Sequence, residues 1–296
     1  MKKILALAAL CTFLAIGVHA QTSILNLDDD PITNPNNYNT NVRSWGYLVG
    51  PNAGCNSEGG CYAGGNMSHT SYYNVDGSSL QMNLINDGCP SSVADNPDLG
   101  CYSNADFTNH IYQNVCTACN ATQFTLDLYA DMNSVGNAAS QAVEFTIEQD
   151  IPSTRISGDT DRYIYSWQCR YKGTGAGYWY YWDESAYEGG GNGWVEAQDT
   201  NGDYAPCQPY TAGTFTHYYF HFQRLTGSTP GVEFLDFTEV NSSGTTYYQF
   251  DKTANLGSPI AQQNWADGLF TAIQLDGDNA EDPYSVWADK WTVAYQ

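Results

Sequence analysis

Two glutamates spaced four apart, in Glu144-x-Thr146-x-Glu148, are the residues of this chain best placed for nucleophilic or acid–base work. Side chains alternate along a β-strand, so both carboxyls face the same way, from Cα atoms about 13 Å apart. Leaning together, they can approach the roughly 5 to 5.5 Å carboxyl separation of retaining glycoside hydrolysis. The same pair also fits the wet face of an ordinary strand. Gln168, Gln274 and Asp276 fall on the outward faces of their own strand-like runs. Set beside Glu144, they make a trough of amides and carboxyls suited to sugar hydroxyls. Trp179, Tyr181, Trp182 and Trp194 are the aromatic candidates for stacking on sugar faces, though each also has a core reading, and for Trp182 the core is favoured.

Acidic clusters raise calcium, which takes hard oxygen ligands at short spacing. Asp28-Asp-Asp30, Asp199-x-Asn201-Gly202-Asp203, and Asp276 with Asp278 and Asp282 all offer them. None is an EF-hand: the loop from Asp199 has its glycine two positions early and Tyr210 where the closing glutamate belongs. Calcium is thus a possible structural ion, and no other cofactor is implied. His217 and His221 lie on one strand face, too extended for a helical zinc pair, and there is no Gly-x-Ser-x-Gly elbow, phosphate loop or dinucleotide fingerprint.

The elements that must position these residues read as strands. Val143, Phe145 and Ile147 alternate with Glu144, Thr146 and Glu148; Tyr165, Trp167 and Cys169 alternate with Ile164, Ser166 and Gln168. Tyr218, Phe220 and Phe222 alternate with His217, Tyr219 and His221, and further runs cover 232–240, 245–250, 269–275 and 285–295. Without intervening helices, such strands predict a two-sheet antiparallel sandwich with the 141–149 strand central. Residues 21–140 are rich in Asn, Gly and Ser and read as a loop-dominated, disulfide-bonded first part with short strands such as 79–85 and 124–129; residues 141–296 carry the regular strands of the same single domain.

Residues 1–20 read as a cleaved export signal: Lys2 and Lys3, an apolar run from Ile4 to Val18, then Val18-His19-Ala20. The run is too short for a membrane anchor, and no later segment suits one. Eight cysteines remain, an even number that reads as disulfides in an exported chain. They allow 105 connectivities; spacing suggests Cys55 with Cys61, Cys89 with Cys101, Cys116 with Cys119, and Cys169 with Cys207. With 10 Lys and Arg against 32 Asp and Glu, the chain repels phosphate backbones and anionic lipid, which argues against nucleic acid as a partner and against membrane insertion. The 23 Tyr and 8 Trp exceed what a core requires and point to sugar or a partner surface.

Several runs in order carry a family resemblance: Val143-Glu-Phe-Thr-Ile-Glu-Gln149, Tyr163-Ile-Tyr-Ser-Trp-Gln-Cys169, Tyr181-Trp-Asp183 with Trp194, Phe220-His-Phe-Gln-Arg224, Gln274-Leu-Asp-Gly277 and Val286-Trp-Ala-Asp-Lys-Trp-Thr-Val293. Upstream, Ser44-Trp-Gly46 and Val75-Asp-Gly-Ser-Ser79 add to them. In this register the chain resembles a family of exported bacterial proteins with a concanavalin A-like jelly-roll fold. The resemblance implies a secreted lectin-like protein contacting an oligo- or polysaccharide, and assigns no catalytic residues. The Glu144 strand is also similar to the Glu-x-Asp-x-Glu strand of retaining glucanases, which would make Glu144 nucleophile and Glu148 acid/base. Thr146 departs from that pattern, since it cannot hold the charge of the central Asp. Many jelly-roll relatives hold calcium near the C-terminal strand, which adds Asp289 to the candidate ligands. Three functions follow as expectations: a sugar-binding module, a retaining glycoside hydrolase, or a structural or adhesive extracellular protein.

Overall fold

A computed structural model describes residues 23–33, 44–50, 63–71, 73–86, 103–112, 120–132, 140–170, 177–207, 214–261, 268–277 and 284–296. The expected leader, Asp278, Asp282 and the six cysteines from Cys55 to Cys119 lie outside these residues. Among the described residues the first part holds six strands. It contributes β1 (Ser23–Asn26), β2 (Ser44–Gly50), β3 (Ala63–Thr70), β4 (Ser79–Asn86), β5 (Ser103–Tyr112) and β6 (Gln123–Asp131). Of these, β4 and β6 fall on the expected runs 79–85 and 124–129, whereas β3, paired with β4, is too polar and Gly-rich to show an alternating apolar phase.

The second part adds β7 (Ser140–Pro152), β8 (Asp159–Arg170), β9 (Gly177–Trp182), β10 (Trp194–Glu196) and β11 (Pro206–Cys207). It continues with β12 (Thr216–Leu225), β13 (Gly231–Asn241), β14 (Gly244–Asn255), β15 (Ile260–Ala261), β16 (Gly268–Gly277) and β17 (Tyr284–Tyr295). One sheet runs β14-β13-β12-β6-β17-β4-β3, with β1 also on β17; the other runs β10-β9-β8-β7-β16-β5-β2, with β11 on β9 and β15 on β8. All the pairings within these two sheets are antiparallel, and β7 lies mid-sheet as expected. The fold is the all-β, two-sheet antiparallel jelly-roll sandwich.

Alternation decides what each face does. Val143, Phe145 and Ile147 of β7 and Tyr165, Trp167 and Cys169 of β8 point inward and are fully buried. Tyr218, Phe220 and Phe222 of β12 meet them from the opposite sheet, Phe145 and Phe220 with ring centroids 5.7 Å apart. Trp167 packs edge-on against Phe234 and Phe237. Cys169 is joined to Cys207, tying β8 to β11 at the edge where β9 begins. The single short helix among the described residues, α1 (Glu184–Glu188), follows β9 and is capped by Asp183, whose side chain accepts from Ala186 N at 3.2 Å.

Candidate functional site

The outward face of the β9-β8-β7-β16-β5 sheet carries one row of polar side chains set by strand register. Tyr180 pairs with Gln168, Gln168 with Glu144, Glu144 with Gln274, and Gln274 with Asp106. The expected Glu144, Gln168, Gln274 and Asp276 are thereby brought together. Gln168 Nε2 donates to Glu144 Oε1 at 2.7 Å and to Asp276 Oδ2 at 3.4 Å, and Gln274 Nε2 donates to Asp276 Oδ1 at 2.8 Å. Arg170 Nε donates to Gln168 Oε1 at 3.0 Å while its guanidinium lies over the Tyr180 ring. Gln168 is therefore held with its NH2 toward the acids and its Oε1 accepting from Arg170 on the other side.

Glu144, Gln274 and Asp106 of this row also line a cavity of about 900 Å³. Its far end holds Glu148, which accepts from Arg162 Nε at 3.0 Å; Asp150 lies 3.6 Å from the same nitrogen. One wall is aromatic: Trp182 and Trp194 meet edge to face at 5.1 Å, Tyr187 lies beside Trp182, and Trp182 Nε1 donates to Glu184 Oε2 at 2.6 Å.

The aromatic expectations need correction. Trp179 is fully buried and Tyr181 nearly so, both in the core between the sheets, so neither reaches a ligand in the trough. Trp182, favoured as core, instead lines the cavity together with Trp194. In Gly-Tyr-Trp-Tyr-Tyr-Trp every position of β9 after the glycine is aromatic, so alternation has no polar phase to show which residues face inward. Sequence reading also missed Asp106 and Arg162. Asp106 alternates with buried Ala105 and Phe107, and Arg162 falls in phase with Gln168 along β8, so a face-by-face reading of both strands would have found them.

Electrostatics divides the two glutamates. Burial raises the Glu144 pKa well above the ordinary carboxyl range, and the nearby Asp276 charge adds to this, while the Gln168 amide opposes it. Burial likewise pushes Asp106 up to about 7, with Glu148 and Asp276 contributing. Burial works against the Arg162 charge, but Glu148 and Asp150 outweigh it and raise that pKa above its usual value. The expected order, Glu144 as nucleophile and Glu148 as acid/base, thus meets surroundings that do not favour it: burial and Asp276 disfavour the charged form of Glu144, whereas Glu148 is engaged by the Arg162 guanidinium.

The calcium candidates separate. Asp276 belongs to the trough sheet and Asp289 to the other. Among the described residues, one group of acids converges enough to hold a metal ion: Asp28, Asp76 and Asp289, with one oxygen each, all within 4.8 Å of one another. Asp276 is not among them. Asp289 also accepts from the backbone N–H of Val75 and, at 2.7 Å, of Lys290, at the bulge where β17 shifts register against β6. Burial raises the Asp289 pKa, as it does that of Asp28.

No protein-family model and no curated protein sequence matches the chain. Solved structures do overlap it at low identity. The alginate lyase vAL-1 from Chlorella virus gives a TM-score of 0.36 at 10% identity, over 79% of this chain and 91% of that one. Peanut lectin with a 9mer peptide gives 0.34 at 10%, over 84% and 99%. The legume lectin-like domain from Entamoeba histolytica gives 0.28 at 8%, over 78% and 90%. This chain is similar to lectins and to carbohydrate-active enzymes in that sense, and no residue role is transferred from them.

Proposed function

We propose that this is an exported glycan-binding protein that holds an oligo- or polysaccharide in the trough over β9, β8, β7, β16 and β5. The observation that carries the reading is one cavity uniting an aromatic wall of Trp182 and Trp194 with the oriented Gln274 amide and the carboxyls of Glu144 and Asp106. Its volume of about 900 Å³ lies within the range of small-molecule sites, and stacking rings with a few fixed polar groups are what sugar rings require. No described helix is long and apolar enough to cross a membrane. A glycan array on the purified mature chain tests the proposal: specific binding lost in Trp194→Ala supports it, and no binding to any glycan class rejects it.

Hydrolysis is the second reading, since Glu144 and Glu148 share the cavity. In this reading Glu144, whose burial beside Asp276 favours the neutral carboxyl, is the proton donor and Glu148, held by Arg162, is the second carboxyl, the reverse of the glucanase-like order. On a polysaccharide that the wild type cleaves, Glu144→Gln should abolish turnover. Full activity in both Glu144→Gln and Glu148→Gln would move catalysis elsewhere.

A further inference from the structure

Resting on the glycan-binding reading, we propose that the trough selects a polysaccharide bearing protonated amino groups, of the glucosamine type, over neutral and uronate chains. The charge of the cavity is lopsided. Asp106, Glu144, Glu148 and Glu184 line it, and the one described cation among the lining residues, Arg162, is taken up by Glu148 and Asp150. A uronate entering this space adds a negative charge beside acids that are already crowded and buried, with Arg162 engaged elsewhere, and like charges at close range are costly in a partly dehydrated site.

A neutral sugar leaves the acids crowded as they are. An ammonium relieves the crowding: beside it Glu144 and Asp106, which register sets on the two strands flanking Gln274, ionise more readily and accept its N–H hydrogen bonds. A second feature points to a ligand in the same place. The Thr108 hydroxyl lines the cavity, is only 7% exposed and has no partner at hydrogen-bonding geometry, although it lies near enough to Asp106 to favour its charge. A sugar hydroxyl or amine seated against Asp106 would complete it. Trp182 and Trp194 then accept the sugar face and, from their ring faces, contribute cation–π attraction. A bare divalent ion is a poorer occupant, because these acids do not form a converging group of the kind seen at Asp28, Asp76 and Asp289.

The test is calorimetric titration with three pentasaccharides, of glucosamine, N-acetylglucosamine and a uronic acid, at about pH 6 in low and in roughly 0.3 M salt. The glucosamine oligomer should bind at least about tenfold more tightly than the acetylated one, with the preference shrinking in salt. In a folded Asp106→Asn/Glu144→Gln variant, checked by circular dichroism, the ratio between the two should fall towards one. Equal or tighter binding of the acetylated or uronate oligomer would overturn the amino-sugar inference while leaving the trough as a glycan site. Binding of none of the three, with a blank glycan array, would overturn both.

Discussion

At the scale of single residues, the trough depends on side chains whose positions are enforced from behind. Gly193 is one such support: its φ is +76°, and a Cβ there would lie 2.4 Å from the Trp182 ring. Gly193→Ala must therefore bear a left-handed backbone and displace the indole, costing about 1–2 kcal/mol of stability. Glycan affinity should drop several-fold as well, measurable by melting and titration of the same variant; unchanged binding would mean that the Trp182 wall is dispensable. Asp106 gives a second test. Its folded pKa of about 7 stands above the ordinary 3.8. The folded state therefore binds that proton more tightly than the unfolded chain, and the stabilisation is complete below about pH 4 and lost as pH rises through 7. The melting temperature should fall between about pH 4 and pH 7, and Asp106→Asn should flatten that slope. Glu144, raised in the same direction, adds to it.

At the scale of elements, the disulfide is the clearest lever. Cys169 and Cys207 are 38 residues apart and close the edge at which β9, β10 and β11 hang from β8. Replacing both with alanine releases chain entropy in the unfolded state and should cost about 2–4 kcal/mol in denaturant unfolding. The trough wall, carried on β9 and its connection through α1, should loosen before the floor, so hydrogen exchange should rise first over residues 177–207. Much of the elements' arrangement was legible in the sequence. Where apolar and polar residues alternate cleanly, as in β7, β8 and β12, the inward faces are those read from the pattern. The pairing of Cys169 with Cys207 was legible as well. Legibility failed in two ways. In β9 aromatic residues fill both faces, and in β5 Asn109 interrupts the apolar phase; it is fully buried because its amide donates to Asp30 Oδ2 at 2.9 Å. A polar residue whose amide is paired inside the core looks, in sequence, like one meant for water. The site was legible only as a set of outward polar residues, because which strands adjoin is a matter of topology and alternation carries no information on that.

At the scale of the whole molecule, the two sheets share a single aromatic core centred on Phe220, whose ring touches those of Phe145, Trp167, Trp179 and Phe237 from both sides of the sandwich. The floor of the trough is the back of that core, so rigidity beneath the ligand follows from packing rather than from loops. The strand order also sets a timetable. β17, the last strand, is not an edge: it sits between β6 and β4, pairing Val293 with Leu126 and Val286 with Met82. Until it arrives, β6 and β4 each expose a row of unpaired backbone groups and Trp45 lacks the Trp291 ring that it meets at 5.3 Å. A chain cut before Tyr284 should therefore stay open to protease and lack native near-ultraviolet dichroism, and adding a synthetic 284–296 peptide should restore part of both. Emerging residue by residue from a ribosome, the polypeptide has no finished sandwich to close until residues 284–295 are out, so the sheet stays divided between β6 and β4 while everything before them is made.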